Sequence, residues 1–122
     1  MRQIPDEPSF ALSPIHNTAV VEWLLNNSKH PLAASTLWAE LFTLVRDDTG
    51  EIVEPSSGFA VAAGIEPDQA SSIIDELLFI NAIRQEHQGG RTRHFLSPWV
   101  GTYIANPDAQ LAARKRFGPL FR

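Results

Sequence analysis

Residues 58–83 read Gly58-Phe-Ala-Val-Ala-Ala-Gly-Ile-Glu-Pro-Asp-Gln-Ala-Ser-Ser-Ile-Ile-Asp-Glu-Leu-Leu-Phe-Ile-Asn-Ala-Ile83. Ser56 and Ser57, just before this stretch, are placed to cap a short helix, Gly58 to Ala63, that stops at Gly64. Glycine just past a helix adopts the left-handed conformation that closes it without a Cβ clash. Pro67, whose ring pre-sets φ for a first helical turn, then opens a longer helix. Ala70, Ile73, Ile74, Leu77 and Ile80 recur every three or four residues, which makes one buried face, and Asn81 ends the run. Short helix, glycine turn and longer helix predict a helix-turn-helix.

Downstream, two short strands are expected around Gly89-Gly90. A Gly-Gly pair supplies the positive φ angles of a two-residue hairpin turn. That turn sets Gln88 opposite Arg91, Glu86 opposite Arg93 and Ile83 opposite Leu96. It predicts an opposite-charge pair, Glu86 with Arg93, and an apolar pair at the base. Ser97-Pro98 ends the hairpin, and Trp99, Val100, Tyr103 and Ile104 form an apolar group expected to pack on the body. Asn106-Pro107 caps a last helix reaching Phe117, with Arg114, Lys115 and Arg116 near its end.

Upstream, Ser13-Pro14 reads as a cap and first turn, followed by Ala19, Val20, Trp23 and Leu24 on one face and an end at Asn26-Asn27-Ser28. After Pro31 comes the clearest periodicity in the chain. Ala34, Leu37, Trp38, Leu41, Phe42 and Val45 predict an amphipathic helix over 32–46 with Trp38 and Leu41 in the core. Asp47-Asp48-Thr49-Gly50 then reads as a turn and Glu51–Glu54 as a short strand.

The 122 residues suit one compact domain. No cysteine is present, which removes disulfides and thiolate metal sites and fits a cytoplasmic location. The N-terminus lacks the apolar core of a signal peptide, and no apolar run approaches a membrane span. Charge is segregated. Residues 1–82 carry three basic and twelve acidic side chains, residues 83–122 seven basic and two acidic, for a net charge of −4. Such a distribution can present a basic surface to an anionic partner. His16, His30, His87 and His94 lack zinc spacing, so no metal is expected. No phosphate loop, nucleophile elbow or Ser/His/Asp order occurs, so the sequence predicts a binding protein without a cofactor and not an enzyme.

Gly64, Ile65, Ile74, Leu77, Asn81 and Ile83 fall where winged helix-turn-helix proteins carry their core pattern. With the helix after Pro31, the Thr49-Gly50-Glu51-Ile52 turn and Phe95-Leu96-Ser97-Pro98-Trp99, the chain resembles plasmid replication initiators of the RepL type and small bacterial transcriptional regulators. The expected fold is mainly α with a small β-hairpin wing, a winged helix-turn-helix. An N-terminal arm would span 1–12, the winged-helix domain 13–104, and a basic C-terminal helix and tail 105–122. The resemblance implies duplex DNA as partner, a homodimer, and regulation of transcription or replication of a plasmid, phage or other mobile element.

On that expectation Gln69, Ser71 and Ser72 of the longer helix would meet base edges. Arg84, Arg91, Thr92, Arg93 and His94 of the wing would meet the DNA backbone or minor groove. The sequence departs from the proteins it resembles in one respect. They commonly carry arginine or lysine about where Ser72 stands, whereas this helix adds Asp68, Asp75 and Glu76, which phosphates repel. An acidic helix of this kind also suits a protein partner or mimicry of DNA.

Overall fold

The computed structural model describes residues 10–46 and 49–121. Most of the expected N-terminal arm and both residues of the Asp47-Asp48 pair therefore lie outside the described residues. Among those described, the chain is mainly helical with small antiparallel sheets. β1 (Ala11–Leu12) leads into α1 (Pro14–Asn27) and α2 (Pro31–Phe42), each opened by its proline. Ser13 holds the N-cap position of α1, but its hydroxyl bonds His16 Nδ1 at 2.6 Å and no backbone amide.

The periodicity predicts helix as far as Arg46, yet α2 stops four residues sooner. The Thr43 amide and hydroxyl both bond the Glu40 carbonyl, and the Leu44 amide bonds that of Leu41. Tightening to this spacing is how a helix closes when the next turn has other partners. Those partners belong to β2 (Glu51–Ile52) and its continuation. The Arg46 amide donates to the Glu51 carbonyl and the Val53 amide to that of Leu44, so Val45 joins a bridge with Ile52.

The short helix α3 (Phe59–Ala63) follows, and the expected serine cap is absent. Gly58, at φ 93°, precedes the first turn without a side-chain cap. Gly64 closes α3 at φ 70°, as the glycine rule requires. α4 (Pro67–Phe79) buries Ala70, Ile73 and Leu77, and Asn81 turns the chain out of it at φ 60°. β3 (Ile83–Gln88) and β4 (Arg91–Leu96) pair in the expected register, with Gly89 and Gly90 at φ 55° and 76°. β4 returns between its neighbours, so the three-stranded sheet runs β2-β4-β3. β5 (Gly101–Thr102) pairs with β1, a contact that two-residue strands leave no pattern to predict. α5 (Pro107–Phe117) closes the chain, its cap made by Asn106 Oδ1 accepting from the Ala109 amide.

One core joins these elements. Val20 and Leu24 of α1 and Leu37, Trp38 and Leu41 of α2 meet Ile73 and Leu77 of α4, with Ile52, Ile83 and Leu96 from the sheet. The Trp38 indole is buried with its N–H donated to Asn17 Oδ1 at 2.8 Å, which removes the desolvation penalty of a lone donor. Val100 is buried and Trp99, Tyr103 and Ile104 are half-buried, so the segment after the hairpin lies on the body. No helix among the described residues is long and apolar enough to cross a membrane.

Candidate nucleic-acid interface

Two surfaces carry the residues singled out from the sequence, the hairpin and the outward face of α4. On the hairpin, Arg91, Thr92, Arg93 and His94 come together along a cleft of about 480 Å³ against the 51–58 segment, which adds Ser56 and Ser57. Arg91 is exposed beside the Gly-Gly turn. Thr92 Oγ1 lies 3.0 Å from His87 Nδ1 across the strands.

Arg93 does not pair with Glu86 as its register predicts. Its guanidinium bonds both carboxylate oxygens of Glu51, at 2.7 and 3.1 Å, and donates a further bond to Gln88 Oε1. The bidentate geometry matches the planar fork of arginine, and Glu51 extends from β2 on the other side of β4. This bond holds the Glu51 carboxyl below its ordinary pKa and raises that of Arg93. Glu86 instead lies 4.0 Å from Arg84.

Arg84 is likewise turned away from the cleft. It donates to the Arg116 carbonyl at 3.0 Å and stacks over Phe117 with its guanidinium 4.5 Å from the ring centre. Arg114 bonds the Pro98 carbonyl and stacks on Trp99. The basic C-terminal helix is thus partly committed to its own body, leaving Lys115 and Arg116 exposed.

His94 is half-buried, edge-on to Phe59 with ring centres 5.7 Å apart. Burial pushes its imidazole below the ordinary value of 6.5, His87 pushes the same way, and Glu54 opposes both. The unfolded chain therefore takes up this proton first as the pH falls. Stability is complete above about pH 6.5 and declines as the pH drops through that value toward the lower folded pKa. The urea midpoint should fall between about pH 7.5 and 5.5, and His94→Gln should remove most of that decline. Equal slopes in the two proteins would show that His94 is not its source.

On α4, Ser71 is exposed and Ser72 half-exposed. Gln69, expected to meet bases, closes the helix start, its Oε1 accepting from the Glu66 amide at 3.1 Å. This reciprocal arrangement is a capping box with Glu66 in the serine's usual place. Glu76, expected as an exposed charge, is also engaged. Its carboxylate accepts from Ser28 Oγ at 2.6 Å and the Lys29 amide at 2.9 Å, fastening the α1–α2 link to α4. Asp68 and Asp75 remain exposed on this helix.

The sequence reasoning missed Glu51, whose partner is forty-two residues away and leaves no local pattern. It also passed over Phe79, for which a signal existed. Phe79 follows Leu77 by two residues, roughly 200° round the helix, and so stands opposite the buried stripe.

Among the described residues, no group of three or more His, Asp or Glu is arranged to hold a metal ion. No family model matches the chain, and no match appears among curated proteins or solved structures.

Proposed function

We propose that this chain is a winged helix-turn-helix protein that binds duplex DNA without catalysis and regulates transcription or replication of a plasmid, phage or other mobile element. Acting on DNA, it works in the cytoplasm. The observation that carries the reading is topological. α2, β2, α3, α4 and the β3–β4 hairpin follow one another in the chain, and the hairpin returns with β4 between β3 and β2. A short helix, a left-handed glycine and a longer helix then stand beside a hairpin whose turn carries an exposed arginine. The resemblance of the sequence supplies the process served.

The support is uneven across the surface. Arg91 at the hairpin tip is the cation best placed for a phosphate, since Arg84 and Arg93 are held by protein groups. Ser71 and Ser72 offer hydroxyls to base edges. Asp68 and Asp75 repel phosphates, which makes the expected affinity modest and its fall with salt shallow.

Fluorescence anisotropy of a labelled random duplex across a salt series tests the reading. Arg91→Ala should weaken binding to every duplex and lower the salt slope by about one. Asp68→Asn with Asp75→Asn should tighten binding, most at low salt. Absence of binding at low salt would overturn the proposal. The outward acids of α4 favour a second reading, an interaction module that holds a basic protein or mimics DNA. In that case the double asparagine variant would lose its protein partner and still fail to bind duplexes.

A further inference from the structure

Ile83 and Leu96 turn one face of the hairpin into the core, so alternation turns Arg84, Glu86 and Phe95 to the other. On α5, Ala113, Arg116 and Phe117 are three and four residues apart and share a face. Arg84 draws these two surfaces together through the Arg116 carbonyl and the Phe117 ring. Between them, with Tyr103 and Ile104 beyond β5, remains a cavity of about 340 Å³. Small-molecule sites start at about 300 Å³ and combine apolar and aromatic walls with a few polar groups. This cavity has that make-up, with rings from Phe95, Tyr103 and Phe117 and aliphatic wall from Ile104 and Ala113.

The charges around the cavity define what it takes. Its lining holds two cations, Arg84 and Arg116, and one anion, Glu86. Glu86 keeps its charge and lies 4.0 Å from Arg84, so these two offset each other. Just beyond the lining, Arg93 stands over the Phe95 ring and is neutralised by its bidentate bond to Glu51. The Arg116 guanidinium has no partner among the described residues, although its backbone carbonyl is taken. The Tyr103 hydroxyl is likewise unpaired among the described residues and offers a second donor. One positive charge is left over, on a planar fork whose geometry matches a carboxylate. Three rings in the wall favour a flat aromatic body behind that carboxylate.

We propose that this cavity binds a small aromatic carboxylate, its ring system among Phe95, Tyr103 and Phe117 and its charge on Arg116. The inference does not rest on the DNA reading. The cavity shares no residue with the cleft of the wing or with the outward face of α4.

Titration of the isotope-labelled full chain with 2-naphthoate, followed by amide chemical shifts near neutral pH and at fixed ionic strength, provides the test. The amides of Gly50, Thr102 and Ala113 should move together and saturate with a Kd of about 1 mM or tighter, while those of Ser71 and Ser72 stay still. The neutral isostere 2-naphthamide should bind about tenfold more weakly, and the 2-naphthylmethylammonium ion more weakly still. Arg116→Gln should weaken naphthoate binding by about tenfold and leave naphthamide binding within about twofold. Arg116 is exposed, so this variant should keep the wild-type thermal midpoint. Ala113→Phe places a ring in the cavity and should abolish the shifts from both compounds. Absence of saturable shifts in the millimolar range, shifts that map elsewhere, an amide or ammonium bound as tightly as the carboxylate, or an Arg116→Gln variant equal to wild type would overturn the proposal.

Discussion

Trp38→Ala should lower the unfolding free energy by about 3–5 kcal/mol, the range for deleting a buried aromatic side chain. Trp38 is only 2% exposed, and its ring stands edge-on to Phe42 with centres 5.0 Å apart. Its N–H reaches Asn17, so the same side chain ties α1 to α2. Truncation leaves a cavity that the rigid neighbours Leu37 and Leu41 cannot fill, and removes the donor from Asn17. Trp38→Phe separates the two effects. It retains most of the volume and gives up the hydrogen bond, which is typically worth about 1 kcal/mol. Urea unfolding followed by far-ultraviolet circular dichroism measures both, provided the slope is unchanged. A midpoint for Trp38→Ala equal to wild type would mean that the α2 stripe does not form the core.

Asn81→Ala should cost about 2–4 kcal/mol, and its effect should concentrate on the C-terminal helix. Asn81 is 2% exposed and holds φ 60°, a conformation in which asparagine is tolerated better than alanine. Its Nδ2 donates to the carbonyls of Phe117 and Pro119, both at 3.1 Å. The Phe121 amide in turn bonds the Ile80 carbonyl, so the end of α4 and the end of α5 grip each other. Alanine leaves two carbonyls without their donor and adds backbone strain. Asn81→Gly removes the strain alone and should recover about 1 kcal/mol of the loss. Arg114, Lys115 and Arg116 make α5 a natural trypsin target. The alanine variant should be cut there faster than wild type under native conditions, since a helix that has lost its anchor opens locally. Equal cleavage rates and equal midpoints would show that the side-chain clip carries no weight.

The features legible in the sequence share a physical character: each is set by neighbours close along the chain. The hairpin register follows from the Gly89-Gly90 turn because pairing alternates outward from the turn residue by residue. The end of α3 at Gly64 and the start of α5 at Asn106 depend on single residues with special backbone or side-chain chemistry. The stripes of α2 and α4 follow from the helical period. Their buried members, Leu37, Trp38, Leu41, Ala70, Ile73 and Leu77, are those the spacing marks.

What only the tertiary structure decided are competitions between partners distant in the chain. α2 ends at Phe42, not near Arg46, because the backbone groups beyond it bond the strand at 51–53 instead of a further helical turn. Arg93 chose between Glu86 opposite it on β3 and Glu51 on β2, the neighbouring strand on its other side, and bidentate geometry favoured the latter. Gln69, Glu76 and Arg84 read in the sequence as exposed polar groups, yet each found an acceptor or donor that the fold brought near. Periodicity marks which face of a helix meets solvent, and says nothing of which long polar side chains on that face will fold back. That is why the buried face of α4 was readable in advance, while the groups left free on its outward face, Asp68, Ser71, Ser72, Asp75 and Phe79, emerged only once the chain had packed.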